Sequence, residues 1–231
     1  MGTRNLTIVR NKEGIIRVAQ YGQWDGYPEG QGMTALSFIK NKDNLAKLER
    51  AIENCRFYNR VKDIDNWIEK YESRCPRWDE KTNRMLPDSR LKEDINWFNY
   101  FNTRDLGAGI LINICEALKA KETMHGELNI PKEHNGYFYL FDDLEFGQDS
   151  LMCEWAYMID FKDNKFRVFE GFNTDKSKEY ELFKTNQEEV DKRFDYTDSR
   201  YYGLRLSKEY SLKKLPSDKR FIEDFKSEEN E

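Results

Sequence analysis

Residues 22–32 are the part of this 231-residue sequence where groups suited to recognition are most concentrated. Four of the chain's 13 glycines lie there beside Trp24 and Tyr27, namely Gly22, Gly26, Gly30 and Gly32. Glycine tolerates backbone conformations and close approaches that a Cβ atom forbids. The aromatic rings offer stacking faces, and Gln23 and Asp25 offer hydrogen-bonding groups. The segment therefore predicts a loop that recognises a ligand or partner, although a tight turn whose two rings fill the core, or a catalytic loop, would have the same composition.

The end of this loop also predicts an anion site. Gly30, Gln31 and Gly32 precede an apolar pattern that indicates a helix opening near Thr34. Free N–H groups at a helix N-terminus attract phosphate or carboxylate groups. The spacing G-x₃-G-x₃-G-x-G differs from the dinucleotide-binding fingerprint, and the P-loop sequence Gly-Lys-Ser/Thr does not occur. The loop thus indicates recognition without a known nucleotide-binding motif.

Two further segments carry polar groups suited to a pocket. Arg104 can pair with a carboxylate, and Asp105 can cap the helix that follows it. Glu154 lies with Asp160 on the even-numbered face of a predicted strand, so it is either solvated or lines a polar cleft. The residues predicted to bind a ligand or partner are Arg4, Tyr21, Gln23, Trp24, Asp25, Tyr27, Arg104 and Glu154.

The charge balance restricts the class of partner. The chain has 38 Lys and Arg against 43 Asp and Glu, a net charge of −5, and its basic residues are interleaved with acids. No stripe that would follow a phosphate backbone is visible, which argues against nucleic acid. The apolar runs fall short of the roughly 18–20 residues of a membrane span, and residues 1–4 lack the apolar region of a secretory signal. We expect a cytoplasmic protein that does not contact membranes.

Cysteine and histidine usage argues against a metal centre and a histidine triad. No C-x-x-C pair occurs among the four cysteines, which are Cys55, Cys75, Cys115 and Cys153. They fit reduced structural thiols better than a zinc site. His125 and His134 both lie in a polar stretch typical of a loop, a poor place for a catalytic base. We expect no metal and no cofactor, and we expect binding rather than turnover.

Strand patterns occupy both ends of the chain. Leu6–Arg10 and Ile15–Tyr21 form a predicted hairpin, and Met152–Phe161 with Lys165–Glu170 form a second one. A third strand region follows at 201–212, before a short helix near 221–225.

Helical patterns occupy the middle. Apolar residues repeat there every three or four positions, at 45–55, 61–71, 91–98 and 106–118, as expected for successive amphipathic helices. The sequence therefore predicts the α+β class, with an antiparallel β-sheet built from the N- and C-terminal hairpins and a helical middle packed on it. We expect a single domain, 1–231, with 43–121 as a helical insertion or subdomain.

Four segments of the chain carry a resemblance to known proteins, namely Met1–Thr7 (MGTRNLT), Ala19–Gly32 (AQYGQWDGYPEGQG), RD-x-GA at 104–108 and EWAY-x-ID at 154–160. On these residues, above all the first 32, the chain resembles a family of phage, prophage and fungal proteins. No established catalytic residues carry over from that family. The resemblance implies an accessory gene of a phage or mobile element, and such proteins often act against host defences by binding a nucleotide signal or a defence protein. We expect a small, nucleotide-like ligand or a host protein as the partner.

A looser resemblance is to the N-terminal nucleophile amidohydrolases. In those enzymes a Cys, Ser or Thr at the processed N-terminus starts a β-hairpin, and Thr3, Arg4 and Asp25 lie in similar places. The departure is that removal of Met1 exposes Gly2, which has no nucleophile, so Thr3 would need a second cleavage. An amidohydrolase and a direct protein inhibitor of a host defence enzyme therefore remain alternatives to a ligand-binding protein.

Overall fold

The computed structural model describes residues 2–57, 78–79, 84–85, 106–123, 138–186, 188, 190 and 200–226. Within these ranges the chain forms nine strands, which are β1 (Asn5–Arg10), β2 (Ile16–Gly22), β3 (Cys55–Phe57), β4 (Trp78–Asp79), β5 (Arg84–Met85), β6 (Phe138–Leu140), β7 (Trp155–Asp160), β8 (Lys165–Glu170) and β9 (Arg205–Ser211). The α-helices of the same ranges are α1 (Met33–Lys40), α2 (Lys42–Ala51), α3 (Ile110–Thr123) and α4 (Asp218–Glu223).

A mixed five-stranded sheet in the order β2-β1-β7-β8-β9 is the centre of the fold. The pairs β1–β2, β7–β8 and β8–β9 are antiparallel, whereas β1 and β7 run parallel, with Asn5 opposite Trp155 and Arg10 opposite Asp160. The α+β class and both hairpins are confirmed. The sheet is not antiparallel throughout, because the two hairpins join through that parallel pair. Two smaller pairs are β3–β6, which is parallel, and β4–β5, which is antiparallel.

Both faces of the sheet are buried. On one face, Val9, Tyr157 and Ile159 pack in a core shared with α1, α2, α3 and α4. On the other face, Leu6 and Met158 pack with residues from the irregular segments after β6, after β8 and before β9. The even-numbered face of β7, predicted to be polar, is therefore buried as well. Alternation in one strand cannot reveal that a second layer covers its other side.

Turns and caps form where short-range chemistry favours them. Gly14 takes a φ of +87° in the β1–β2 turn, and Asn164 takes +59° in the β7–β8 turn. The Asn41 side chain caps α2 by accepting hydrogen bonds from the N–H groups of Asp43 and Asn44, at 2.9 and 3.2 Å. Helix α2 stops earlier than its apolar spacing predicts, because Cys55 begins strand β3.

Some predictions lie outside the described residues. They include the helices predicted around 61–71 and 91–98, as well as Cys75, Arg104, Asp105 and the two histidines. The proposed insertion at 43–121 is described only in part, so that division stays a prediction. Its described helices α2 and α3 contribute to the core on the sheet.

Candidate functional site

One end of the sheet collects most of the predicted recognition residues. Strands β1 and β7 begin there and β2 and β8 end there, because β1 and β7 are parallel and their hairpin partners run the opposite way. We call this surface the aromatic end and define it by seven residues: Arg4, Trp24, Asp25, Tyr27, Met152, Glu154 and Phe172. The parallel register thus brings together segments that are about 150 residues apart in sequence.

Short contacts connect these residues across the strands. The Arg4 guanidinium lies 3.1 Å from the sulfur of Met152. The backbone N–H of Arg4 donates to Oε1 of Glu154 at 3.4 Å. The N–H of Glu154 donates to the carbonyl of Arg4 at 3.1 Å, and the Glu154 carbonyl accepts from Gly171 at 2.8 Å. The Trp24 ring lies against Gly2, where a Cβ atom would come 2.2 Å from Cε3. Arg4 and Glu154 therefore meet, as the sequence predicts, and Trp24 borders them.

Internal hydrogen bonds fix the backbone of the 22–32 loop. The carbonyl of Asp25 accepts from Gln31 at 2.8 Å, and the carbonyl of Tyr27 accepts from Gly30 at 3.0 Å and from Gly32 at 3.3 Å. These are the N–H groups predicted to receive an anion. That prediction is wrong, because the turn Pro28–Gly32 already uses all three.

The loop is also attached to the sheet beneath it. The hydroxyl of buried Tyr157 donates to the carbonyl of Gly26 at 2.7 Å, and burial raises the pKa of Tyr157 well above its usual value, so it remains a donor. The side chain of Asn5 donates to the carbonyl of Gly22 at 3.2 Å. The side-chain oxygen of Gln31 accepts from the N–H of Ala108 at 2.8 Å. The loop is therefore held by hydrogen bonds within itself and by hydrogen bonds to Asn5, Tyr157 and Ala108.

Close packing against the sheet accounts for the glycines of the loop. A Cβ atom on Gly32 would lie 2.8 Å from Cε1 of Tyr157, and one on Gly26 would lie 2.6 Å from the carbonyl oxygen of Thr3. Neither position has room for a side chain. The cluster of glycines thus reflects how tightly the loop covers the sheet, not an approach of ligand to backbone.

Gly32→Ala should lower the free energy of unfolding by about 1–3 kcal/mol, because the new methyl group would overlap the buried ring of Tyr157. Gly109→Ala is a matched control, since its Cβ would meet no atom closer than 3.9 Å. Urea denaturation followed by circular dichroism measures both changes. Equal effects of the two substitutions would contradict this packing argument.

Trp24 and Tyr27 do not fill the core. They are 54% and 53% exposed, which removes the alternative of a loop that exists only to plug the fold. Asp25 between them is also exposed and takes a φ of +54°. The loop has a rigid backbone and presents its large side chains to solvent.

Phe172 and Met152 belong to the same surface, and sequence reasoning missed them. Phe172 is 55% exposed and has a φ of +50°, which is rare for a bulky residue and costs roughly 1–3 kcal/mol. Its N–H donates to the carbonyl of Ser150 at 2.7 Å, and the next N–H, of Asn173, donates to the Ser150 hydroxyl at 3.0 Å. Met152 is 42% exposed. The only sequence signal was the glycine directly before Phe172, at the end of a predicted strand.

Tyr21 and Gln23 are half-buried at the edge of this surface. The Tyr21 hydroxyl donates to the side-chain oxygen of Gln23, and its ring meets Phe146 edge-on with centroids 4.9 Å apart. The N–H of Tyr21 donates to the Asp143 carboxylate at 3.0 Å. Tyr21 therefore connects the loop to the 143–146 segment, and neither its side chain nor that of Gln23 is presented to solvent as Trp24 is. Arg104 lies outside the described residues.

Thr3 is covered in the uncleaved chain. The residue is only 3% exposed, and its carbonyl accepts a hydrogen bond from Gly26 at 2.9 Å, so the 22–32 loop packs on it. A nucleophile has to reach its substrate. The amidohydrolase alternative, which requires cleavage before Thr3, stays a prediction.

The described cysteines are buried free thiols, namely Cys55, Cys115 and Cys153. Burial raises the pKa of Cys115 to about 11 and the pKa of the other two above their usual value. Such thiols are poor nucleophiles at neutral pH, because only the thiolate reacts readily.

A concave site lies between α1, α2 and α3, next to the end of the 22–32 loop. It is a groove of about 780 Å³ whose apolar lining includes Met33, Phe38 and Ile112, and Glu29 and Gly30 of the loop also line it. Of the predicted recognition residues that the structure describes, none lines it. Small molecules prefer concave sites, so this groove does not assign a small ligand to those residues.

A network of charges, also missed from sequence, lies on the face of the sheet that carries Leu6 and Met158. Asp160 is fully buried and forms ion pairs with Arg10 and with Arg167, which is 8% exposed. Both arginines also contact the more exposed Asp163, at 2.6 and 2.8 Å, and Arg167 reaches Glu209 at 3.3 Å. The hydrogen bond from Arg167 holds the pKa of Asp163 below its usual value. The alternating pattern of β7 places Asp160 on the even-numbered face of the strand, and the second layer of the fold buries it there.

Comparison with protein-family models, curated proteins and solved structures gives no match. The predicted relation to a phage family therefore stays a prediction. Fold and surface together define an α+β protein with a mixed sheet and an exposed aromatic surface at one end. Among the described helices, none combines the length and apolarity of a membrane span.

Proposed function

We propose that this protein acts by binding a partner protein through the aromatic end. The observation that carries the proposal is the exposure of Trp24, Tyr27, Phe172 and Met152, each 42–55%, at one end of the sheet. Exposed apolar patches mark interaction sites. Trp, Tyr, Phe, Met and Arg are also the residue types enriched at the cores of protein interfaces.

Rigidity supports the same proposal. The Trp24 and Tyr27 backbone is held by the loop's hydrogen bonds, and Phe172 is held in a costly conformation by Ser150 and Asn173. Backbone strain is retained where surrounding contacts enforce it, and it is concentrated at functional sites. A preorganised surface loses little conformational entropy on binding.

The biological role follows from the resemblance to phage proteins. We propose an accessory protein of a phage or mobile element that binds a host defence protein and thereby inhibits it. A nucleotide-like ligand is the second candidate, supported by the exposed stacking faces of Trp24 and Tyr27. The engaged N–H groups of the loop make a phosphate-bearing ligand the weaker of the two.

Native mass spectrometry of the tagged protein, expressed in bacteria that carry defence systems, tests the proposal. We expect a stoichiometric complex with one host protein that is lost in Phe172→Gly and kept in Ile15→Ser, which changes an exposed side chain near the other end of the sheet. The free energy of unfolding of Phe172→Gly should lie within about 1 kcal/mol of the wild-type value, because glycine adopts a positive φ without strain. A bound nucleotide mass instead would support the second candidate. A complex that Phe172→Gly leaves intact would contradict the proposed surface.

A further inference from the structure

We infer that the partner presents a basic segment, with Lys or Arg side chains, to the aromatic end. This inference rests on the proposed function and specifies the chemistry of the partner. Its basis is the combination of exposed aromatic faces with neighbouring carboxylates that form no ion pair within the described ranges.

The carboxylates lie within the same short stretch as the rings. Asp25 and Glu29 flank Tyr27, both are exposed, and neither takes part in an ion pair with any residue in the described ranges. Within the described ranges, the Glu154 carboxylate accepts only the long hydrogen bond from the backbone N–H of Arg4. The Arg4 guanidinium contacts Met152 and does not neutralise Glu154.

Some acids elsewhere on the described surface have cationic partners, although others, such as Glu13 and Asp43, form no ion pair in the described ranges either. Glu170 pairs with Arg205 at 3.0 Å, Glu209 pairs with Lys165 at 2.6 Å, and Asp218 pairs with Lys40. What sets Asp25 and Glu29 apart is that their negative charge, which no ion pair compensates within the described ranges, lies next to exposed aromatic rings. A partner would supply the missing cations.

Aromatic rings strengthen the preference for a cation. The face of an indole or phenol ring attracts Lys and Arg by about 0.5–1 kcal/mol at exposed sites, and more once the site is desolvated. A cation over Trp24 or Tyr27 would also lie near Asp25 or Glu29, so both attractions act on one side chain. The same carboxylates repel phosphate groups, and the chain's net charge of −5 favours a basic partner at long range.

A titration with short peptides tests the inference. The probes are Gly-Arg-Gly-Arg-Gly and its glutamate counterpart, added to ¹⁵N-labelled protein, with the Trp24 indole signal assigned through Trp24→Phe. We expect the arginine peptide to shift that signal saturably and the glutamate peptide to leave it unchanged. An unmoved Trp24 signal, or equal responses to both peptides, would overturn the inference.

Matched charge variants separate a local site from overall charge. Asp25→Asn with Glu29→Gln should weaken binding of the arginine peptide at least about threefold. Glu13→Gln with Asp43→Asn removes two exposed charges elsewhere and should leave binding unchanged. Equal weakening by both pairs would show that only net charge matters and would overturn the inference.

The complex isolated from cells distinguishes this inference from the proposed function. A complex lost in Phe172→Gly but unaffected by Asp25→Asn with Glu29→Gln would overturn the basic segment and leave the proposed function intact. A complex weakened at least about threefold by the charge pair supports both. A complex that is affected neither by Phe172→Gly nor by the charge pair would contradict the proposed function itself.

Discussion

Replacing Asp160 by alanine is expected to lower the free energy of unfolding by about 3–5 kcal/mol. Asp160 is fully buried and lies between two guanidinium groups, those of Arg10 and Arg167. Its removal leaves the guanidinium of Arg167, which is only 8% exposed, without the buried carboxylate that pairs with it. It also removes the oxygen that accepts hydrogen bonds from the N–H groups of Lys162 and Asp163, at 3.1 and 3.2 Å, in the β7–β8 turn.

Asp163→Ala is the control for this experiment, because Asp163 contacts the same two arginines but is 42% exposed. Its loss should cost no more than about 1 kcal/mol, as exposed ion pairs do. Urea denaturation of both variants gives the comparison. If the two substitutions destabilise the fold equally, burial is not what makes Asp160 important.

Trp24→Ala is expected to weaken the partner complex at least about 30-fold, the loss of roughly 2 kcal/mol typical of an interface hot spot. The ring is large, more than half exposed, and lies against Gly2, two residues before Arg4. The dissociation constant of the isolated complex measures this effect. Because the ring is outside the core, the free energy of unfolding should change by less than about 1 kcal/mol.

Ile15→Ala removes a comparably exposed side chain near the other end of the sheet and should leave the dissociation constant unchanged. If Trp24→Ala simply unfolds the protein, the ring is structural and the aromatic end loses its main residue. If it folds and binds as tightly as the wild type, the partner contacts a different surface.

The two hairpins could be predicted from sequence because their information is local. Alternating apolar residues on either side of Asn11–Gly14 and of Lys162–Asn164 place the strands within a few residues of their observed ends. The turn residues that take positive φ, Gly14 and Asn164, are types that tolerate it. The parallel pairing of β1 with β7 could not be predicted in this way, since its partners are about 150 residues apart.

Part of the candidate site was predictable for a similar reason. The 22–32 loop was conspicuous because glycines and aromatic residues are neighbours in the chain, and Arg4 and Glu154 were proposed beside it. Phe172 was missed because one phenylalanine after a strand resembles a core residue. Its exposure depends on the hydrogen bonds that Phe172 and Asn173 make with Ser150 and Gly203, which belong to other segments of the chain.

By itself, the sequence determined the elements: the hairpins, the first helix after the loop, and an unusual loop joining strand to helix. Only the tertiary structure decided which side of each element faces solvent. It buried Asp160 beneath a second layer, used the loop's N–H groups internally, and turned Trp24, Tyr27 and Phe172 outward at one end of the sheet. The physical reason is the distance along the chain over which each effect acts. Propensities and turns act over a few residues, whereas burial depends on which distant segments cover a surface, and that depends on the whole packed chain.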